Sequence, residues 1–362
     1  MSRMRRFDTS LPANQQMPFQ ITTQPFGPLA SATAPLTQYS IRHTETGAAF
    51  TVLPGFGGVL RSLTLPVLPD NGGNGRAKPR LFSLLETPDS PQALQADETY
   101  ASALLYPFPS RIRHGIYSFE GQEYALPFND FGRNNAIHGF IHPRPFTIVA
   151  EDMTATEAAV TLRYDYPGDL TGYPFLFSLT ARYALHLTDD ETVAFSVSFG
   201  VVNTGLSRCP SAFGWHPYFT LAPRTGTGTD DPVLVDDLTL ELPATETVLL
   251  DDNLLPVGQI PFADSGAFGL TDRQFDAVFV VDNQHPIAET VLSAPAQNVS
   301  LIVSQDTAVF PFLVVYTPER RDRIAIEPIT ANVNAFNTGE GLRVLEPGET
   351  WSGTIGVRLV TC

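Results

Sequence analysis

Phe177-Ser178-Leu179-Thr180-Ala181-Arg182-Tyr183-Ala184-Leu185 runs into Thr188-Asp189-Asp190-Glu191, and Val193-Ala194-Phe195-Ser196-Val197-Ser198-Phe199-Gly200-Val201 follows. Apolar side chains take every second position on both sides of the polar segment. That is the period of a strand with one buried face, and the acidic segment between reads as the turn that reverses the chain. Two strands this long, each with a single apolar face, predict a large antiparallel sheet packed on a second layer. The same alternation recurs in shorter runs at 47–52, 59–65, 238–242, 277–281, 299–303, 312–316 and 351–360. Gly55-Phe56-Gly57-Gly58 joins the first two of these runs. It is half of a dinucleotide-binding fingerprint, but it lacks the third glycine and the helix, so it reads as a hairpin turn. Proline (31) and glycine (27) are spread along all 362 residues, which argues against a helical bundle and for an all-β chain.

One short helix is expected, with Ser90 as N-cap, Pro91 in the first turn, and Ala93, Leu94, Ala96 and Tyr100 following. Residues 70–80 and 223–231 read as loops, and Glu346-Pro347-Gly348-Glu349 as the turn before the last strand. Residues 1–36, rich in Gln, Thr and Pro and without periodicity, read as an extension or loosely docked arm. With no repeat and no clean linker, 37–362 reads as one continuous β domain.

Composition excludes several functions. Twenty-two basic against 38 acidic residues leave a net charge of −16, which disfavours a nucleic-acid binder or a protein held on an anionic membrane. No run approaches the ~18–20 apolar residues of a membrane-spanning helix. Lys78 is the only lysine and sits in a Gly/Asn loop, so neither a phosphate-binding P-loop nor a buried Schiff-base lysine is available. Cys209 and Cys362 make no metal or disulfide pattern, and no apolar core follows the basic start Met1-Ser2-Arg3-Met4-Arg5-Arg6. The expected location is the cytoplasm.

Two residues stand out as chemistry. His216 lies in Phe213-Gly214-Trp215-His216-Pro217-Tyr218-Phe219, among four aromatics. It reads either as a core histidine or as an imidazole tuned by desolvation to work as an acid beside aromatic faces suited to a sugar ring. Glu327, in Ile324-Ala325-Ile326-Glu327-Pro328, shares a face with Ala325, and Pro328 is expected to end the ladder. It reads either as an edge gatekeeper or as a general base with a raised pKa. His138 and His142 have the four-residue spacing of a zinc helix, but Pro143 and the intervening Gly139-Phe140-Ile141 oppose a helix. His43, His114, His186 and His285 carry no distinctive context.

Seven segments in order resemble the aldose 1-epimerase (galactose mutarotase) family over roughly residues 40–360. They are Pro109-Ser110-Arg111-Ile112, Asn135-Ala136-Ile137-His138-Gly139, Gly172-Tyr173-Pro174-Phe175, His216-Pro217-Tyr218-Phe219, Phe275-Asp276, Glu327-Pro328 and Leu345-Glu346-Pro347-Gly348-Glu349. The ending Glu327-Pro328-Ile329-Thr330-Ala331, with Asn334-Ala335-Phe336-Asn337-Thr338-Gly339 after it, is most similar to a less characterised bacterial branch. The resemblance implies a β-supersandwich of large twisted antiparallel sheets with a sugar-binding cleft. It also implies interconversion of the α and β anomers of a free aldose, with no redox cofactor and no metal. By that pattern Glu327 matches the base and His216 the acid. His138 matches a second imidazole near the ring oxygen, and Arg111 and Asp276 match side chains that hold hydroxyl groups. The implied partner is a monosaccharide, and the chain is expected as a monomer or homodimer.

The sequence departs from the family pattern at Val314, where a glutamine is common, at Phe140, where a second glycine is common, and at Asn334, in place of an acidic residue. These positions bear on which sugar is read. A hexose 6-phosphate is the alternative substrate, with Arg111, Arg133 and Arg144 facing the phosphate, although the −16 balance disfavours it. A glycoside hydrolase using Glu327 and Asp276 would need its carboxyls ~5–9.5 Å apart across a cleft. A non-catalytic sugar-binding protein would keep the aromatics and Asp276 and tolerate loss of Glu327.

Overall fold

The computed structural model describes residues 17–29, 35–68, 79–189, 192–224 and 232–362. The loop expectations at 70–78 and 225–231, the turn residues Asp190 and Glu191, and Lys78 lie outside them. The alternating stretch folds as its period dictates. Phe177–Leu187 and Val193–Asn203 pair antiparallel, from Phe177 opposite Asn203 to Leu187 opposite Val193. Phe177, Leu179, Ala181, Tyr183 and Leu185 are all sealed from solvent on one face. These strands sit inside a nine-stranded antiparallel sheet. Its order is Thr147–Met153, Glu157–Asp165, Phe177–Leu187, Val193–Asn203, Thr350–Val360, Val299–Asp306, Ile287–Ala294, Thr239–Glu241 and Phe268–Gly269.

The second layer is a thirteen-stranded sheet. Its main path runs Phe19–Pro28, Pro35–His43, Ala49–Leu53, Val59–Val67, Arg80–Leu85, Tyr218–Pro223, Ile324–Ile329, Phe312–Tyr316, Asp276–Val281, Ala244–Leu250 and Pro256–Pro261. The apolar faces of the two sheets meet in one core. Phe50 on the larger sheet meets Phe195 on the smaller edge-on at 5.4 Å, an arrangement the charge distribution of aromatic rings favours. Two short α-helices occur among the described residues, Pro91–Gln95 and Ala335–Thr338. The first is capped as read, the Ser90 hydroxyl accepting from the Ala93 N–H at 3.2 Å.

Two readings need correction. Part of the expected N-terminal arm is a strand: Phe19–Pro28 pairs with Pro35–His43 at the edge of the large sheet. Its side chains are mostly exposed, so it carries the polar composition of an edge rather than the alternation of a core strand. Pro328 does not end the ladder either. Ile324–Ile329 continues through it, with Pro328 opposite Leu313. The strand on the other side is interrupted there. Tyr218–Pro223 pairs with Ile324 and Ala325, Gly214 pairs with Ile329, and His216-Pro217 falls between. A proline, which has no N–H to donate, is tolerated where no neighbouring strand asks for one.

This interruption creates the site. Register places Glu327 opposite Val314, and Ala325 opposite Tyr316. Tyr316 lies opposite Asp276 on the next strand, and Tyr218 lies opposite Ala325. Paired residues share a face, so Glu327, Val314, Tyr316, Asp276 and Tyr218 project from one side of the large sheet. Glu327 is only 2% exposed and lies in the middle of the sheet, which rules out the edge-gatekeeper reading.

Behind this wall, Phe177 packs against Tyr106 at 4.6 Å and stacks on Tyr166 at 4.9 Å. Truncation to Phe177→Ala should lower stability by about 3–5 kcal/mol, the cost of an unfilled aromatic site, read from the shift of the urea denaturation midpoint.

Candidate functional site

Arg111 and His138 arrive on neighbouring pieces of chain. Ile137 pairs with Arg111 in a two-residue ladder, and beyond it two bonds run in opposite senses. The His138 N–H donates to the Ser110 carbonyl at 3.0 Å, and the Ser110 N–H donates to His138 Nδ1 at 3.2 Å. Accepting at Nδ1 leaves the ring proton on Nε2, so His138 presents a donor. Ser110 (φ 55°) and His138 (φ 62°) are both left-handed, at a cost of about 1–3 kcal/mol each. Gly139 follows because nothing larger fits: a Cβ there would lie 2.0 Å from the Tyr106 carbonyl oxygen. Arg111 is held through Nε by Asp130 at 3.0 Å, and Asp130 also accepts from Asn135 at 3.0 Å. The two terminal nitrogens of Arg111 have no partner among the described residues.

His216 occupies the break in the large sheet. Its backbone N–H donates to the Ala103 carbonyl at 3.0 Å, and its carbonyl accepts from the Ser102 N–H at 2.8 Å. Its ring lies 5.1 Å from that of Tyr218 and meets His138 edge-on at 5.1 Å. His216 Nε2 stands 3.4 Å from Glu327 Oε1. A cavity of about 470 Å³ opens over this pair, and Arg111, His138, His216, Asp276 and Glu327 all line it. The five residues singled out in the sequence, spread over more than two hundred positions, therefore share one cavity.

Burial sets the electrostatics. It pushes the His216 imidazole down to about 4, with Asp97 opposing the shift. Burial pushes the Glu327 carboxyl well above the usual carboxylate range. The negative charge of Asp276 adds to this and Arg111 opposes it. Burial also holds His138 well below the ordinary histidine range, with the positive charges of His216, Arg111 and His142 adding to the effect. The two shifts run in opposite directions: burial favours the neutral, protonated carboxyl of Glu327 and the neutral, unprotonated ring of His216. A proton shared by the pair can sit on the carboxyl beside a neutral imidazole or, after transfer, on an imidazolium beside a carboxylate.

Sequence reasoning missed part of the wall. Asp97, whose carboxylate accepts from Thr99 and Ala101 N–H groups, lines the cavity with Tyr100, Asn129, Asp130 and Tyr316. These carry no local signature; they come from separate loops and from the end of the strand Phe312–Tyr316, and only tertiary contact makes them one wall. Of the three arginines considered for a phosphate, Arg111 and Arg133 line the cavity, but Arg144 does not. It makes two bonds to Asp169, at 2.8 and 3.2 Å. Among the departures, Val314 faces the cavity. Phe140 instead packs into the aromatic core beside Tyr166 and Tyr173. Asn334 accepts the Arg113 N–H at 3.0 Å, and its own N–H donates to the Arg111 carbonyl at 2.7 Å, bracing the segment that carries Arg111.

The family model for aldose 1-epimerase matches residues 72–358. The chain belongs to the aldose 1-epimerase family. The uncharacterized protein YihR of Escherichia coli is 30% identical over 253 residues, covering 68% of this chain and 75% of that protein. A probable aldose 1-epimerase of Arthroderma benhamiae is 26% identical over 259 residues, and the match covers 68% of this chain but 54% of that protein. Two solved structures share the fold. A galactose mutarotase-like protein of Clostridium acetobutylicum has a TM-score of 0.74 and 19% identity, over 96% of this chain and 100% of that one. Galactose 1-epimerase of Lactobacillus acidophilus has a TM-score of 0.73 and 18% identity, over 94% and 98%. The family assignment matches the resemblance read from the seven segments, and the two-sheet architecture matches the expected all-β supersandwich.

The electrostatics have a direct spectroscopic consequence. The His216 ring should remain neutral through pH 6.5 and take up its proton only near pH 4, followed by the imidazole Cε1–H shift in NMR spectra with His216→Asn used for assignment.

Proposed function

We propose that the protein is an aldose 1-epimerase, an isomerase that interconverts the α and β anomers of a free aldose by opening and reclosing the ring. The observation that carries this reading is the Glu327–His216 contact: a carboxyl and an imidazole 3.4 Å apart, both buried, the carboxyl's pKa pushed up and the imidazole's pushed down. Ring opening needs a proton taken from the C1 hydroxyl and a proton given to the ring oxygen. Those two oxygens sit on the same carbon, so acid and base must stand within ~2.6–3.2 Å of adjacent points.

Glu327 takes the proton from O1. The C1–O5 bond breaks as C1=O1 forms, and O5 takes the proton of His216. Rotation about C1–C2 turns the other face of the aldehyde toward O5. His216 then recovers the O5 proton as O5 attacks C1, and Glu327 returns its proton to O1. The pair begins and ends with one proton, so no exchange with bulk water is required. A donated O1–H and the nearby positive charge of Arg111 favour the carboxylate–imidazolium arrangement in which the cycle starts. His138, through Nε2–H, supports the ring oxygen, while Arg111 and Asp276 hold hydroxyl groups. The geometry favours this over a two-carboxylate hydrolase, since the group facing Glu327 is an imidazole. Asp97, Glu98, Asp130, Asp276 and Glu327 outnumber Arg111 and Arg133 around the cavity, which favours an uncharged sugar over its 6-phosphate.

Polarimetry of freshly dissolved aldoses, plain and 6-phosphorylated, tests the reading. Glu327→Gln should lower kcat by about 10²–10⁴-fold with binding of the sugar little changed. An unaltered rate would remove Glu327 from the mechanism. For the unmodified enzyme, kcat/KM should fall on the alkaline side as Glu327 loses the proton the pair needs, and on the acid side as the pH drops toward about 4. There His216 gains a second proton for the pair while Glu327 still holds its own. His216→Ala should lose most of the activity and abolish that acid limb.

A further inference from the structure

Two features of the sequence are left unused by this chemistry: the glycine turn at 55–58 and His142. The structure joins them. The turn is pinned to the segment bearing His142 by the Gly57 N–H donating to the Arg144 carbonyl at 2.7 Å and the Phe146 N–H donating to the Pro54 carbonyl at 2.8 Å. Gly57 has φ 62°, and a Cβ on it would lie 1.9 Å from the His142 carbonyl oxygen, so the approach requires glycine. Phe56 meets the His142 ring edge-on at 5.1 Å. The Gly58 carbonyl accepts the Tyr183 hydroxyl at 2.6 Å, tying the turn to the core.

The side chain so held is 9% exposed and lines the cavity. Its Nδ1 is sealed from solvent without a hydrogen-bond partner, so the ring can offer the cavity only Nε2. Burial pushes the imidazole down to about 4, so at neutral pH it is an uncharged ring with one N–H. Placing that proton on Nε2 leaves only a lone pair sealed at Nδ1, which costs less than a sealed N–H. Tyr100 spaces the imidazoles, its ring 4.8 Å from His138 and 5.3 Å from His142. Ring contacts thus run from His216 to His138, on to Tyr100, and from Tyr100 to His142, a path that begins at the Glu327–His216 pair. With O1 at Glu327 and the ring oxygen at His216, the next part of a pyranose along this path is the edge carrying C6 and C4.

We propose that His142, clamped by the Gly55–Gly58 turn, is a further substrate-reading residue whose Nε2–H donates to a hydroxyl on the C4–C6 edge of the aldose. The inference rests on the epimerase reading, because that reading orients the sugar. It makes His142 a specificity determinant and not a member of the acid–base pair.

The test is calorimetric binding of the best-bound aldose and its 2-, 3-, 4- and 6-deoxy analogues to the unmodified protein and to His142→Phe and His142→Gln, with polarimetric kcat and KM alongside. Loss of one such hydrogen bond weakens binding about tenfold, so His142→Phe should raise Kd and KM about tenfold while kcat stays within about twofold. The 4- or 6-deoxy analogue should bind the unmodified protein and His142→Phe alike, and His142→Gln, which keeps an N–H at similar reach, should recover part of the loss. Should His142→Phe fail to fold, the same coupling is read with His142→Gln and from the weakened binding of the 4- or 6-deoxy analogue to the unmodified protein. An unchanged Kd, an equal loss for every analogue, or coupling confined to C2 or C3 overturns the proposal. Turnover with no coupling overturns this inference alone. Coupling with no turnover overturns the epimerase reading and leaves His142 as a sugar contact, and failure to bind any aldose overturns both.

Discussion

The contact between His216 and Glu327 depends on a gap. In an unbroken sheet the strand beside Ile324–Ile329 would fill the space next to Glu327 with backbone. Here the neighbour is split into Gly214–Trp215 and Tyr218–Pro223. The imidazole of His216 enters the space so vacated, and its own backbone bonds to Ser102 and Ala103 instead of to the sheet. Two prolines make this arrangement stable, Pro217 within the break and Pro328 facing it, because neither leaves an N–H in need of a partner.

The same burial that fixes the geometry fixes the protons. A carboxyl and an imidazole in water would both be charged only in a narrow range, and each would exchange protons with solvent. Sealed against each other, they move in opposite directions, the carboxyl's pKa up and the imidazole's down, which favours the neutral form of each. The surrounding backbone carries strain to achieve this. Tyr100, Ser102, Ser110, His138 and Asn334 all have positive φ, an unusual concentration for residues with side chains. Each sits on a segment that touches or braces the cavity. Such conformations persist where the surroundings over-determine them. The His138–Ser110 bonds and the tight approach of Gly139 to Tyr106 supply that constraint.

The departures from the family pattern divide by where they point. Val314 faces the cavity, so its replacement of a common glutamine removes a polar group from the wall. Phe140 and Asn334 point elsewhere, one into the aromatic core and one into the support of Arg111. Differences at these two positions therefore concern how the site is held, and the difference at Val314 concerns what it contacts. His142 stands four residues from His138, a spacing that invites a helix, but His138 and Gly139 are both left-handed and the Tyr100 ring contacts both imidazoles.

Alternation determined the sheets, because a period of two with one apolar face leaves a strand no other way to bury its side chains. Phe177 to Val201 was therefore legible without coordinates, as were the Ser90 cap and the hairpin at 55–58. Residue type and order determined the family and the five residues that now share a cavity. Alternation alone left Glu327 between two roles, because position at an edge or at the centre of a sheet depends on what lies beside the strand. It left residues 19–28 in an extension or loosely docked arm, because a mostly exposed edge strand need not alternate. Tertiary structure decided those points. It interrupted one strand opposite Glu327, joined a glycine turn to His142, and withdrew Arg144 to Asp169. Each of these depends on contacts between segments far apart in the chain, which no local pattern of side chains encodes.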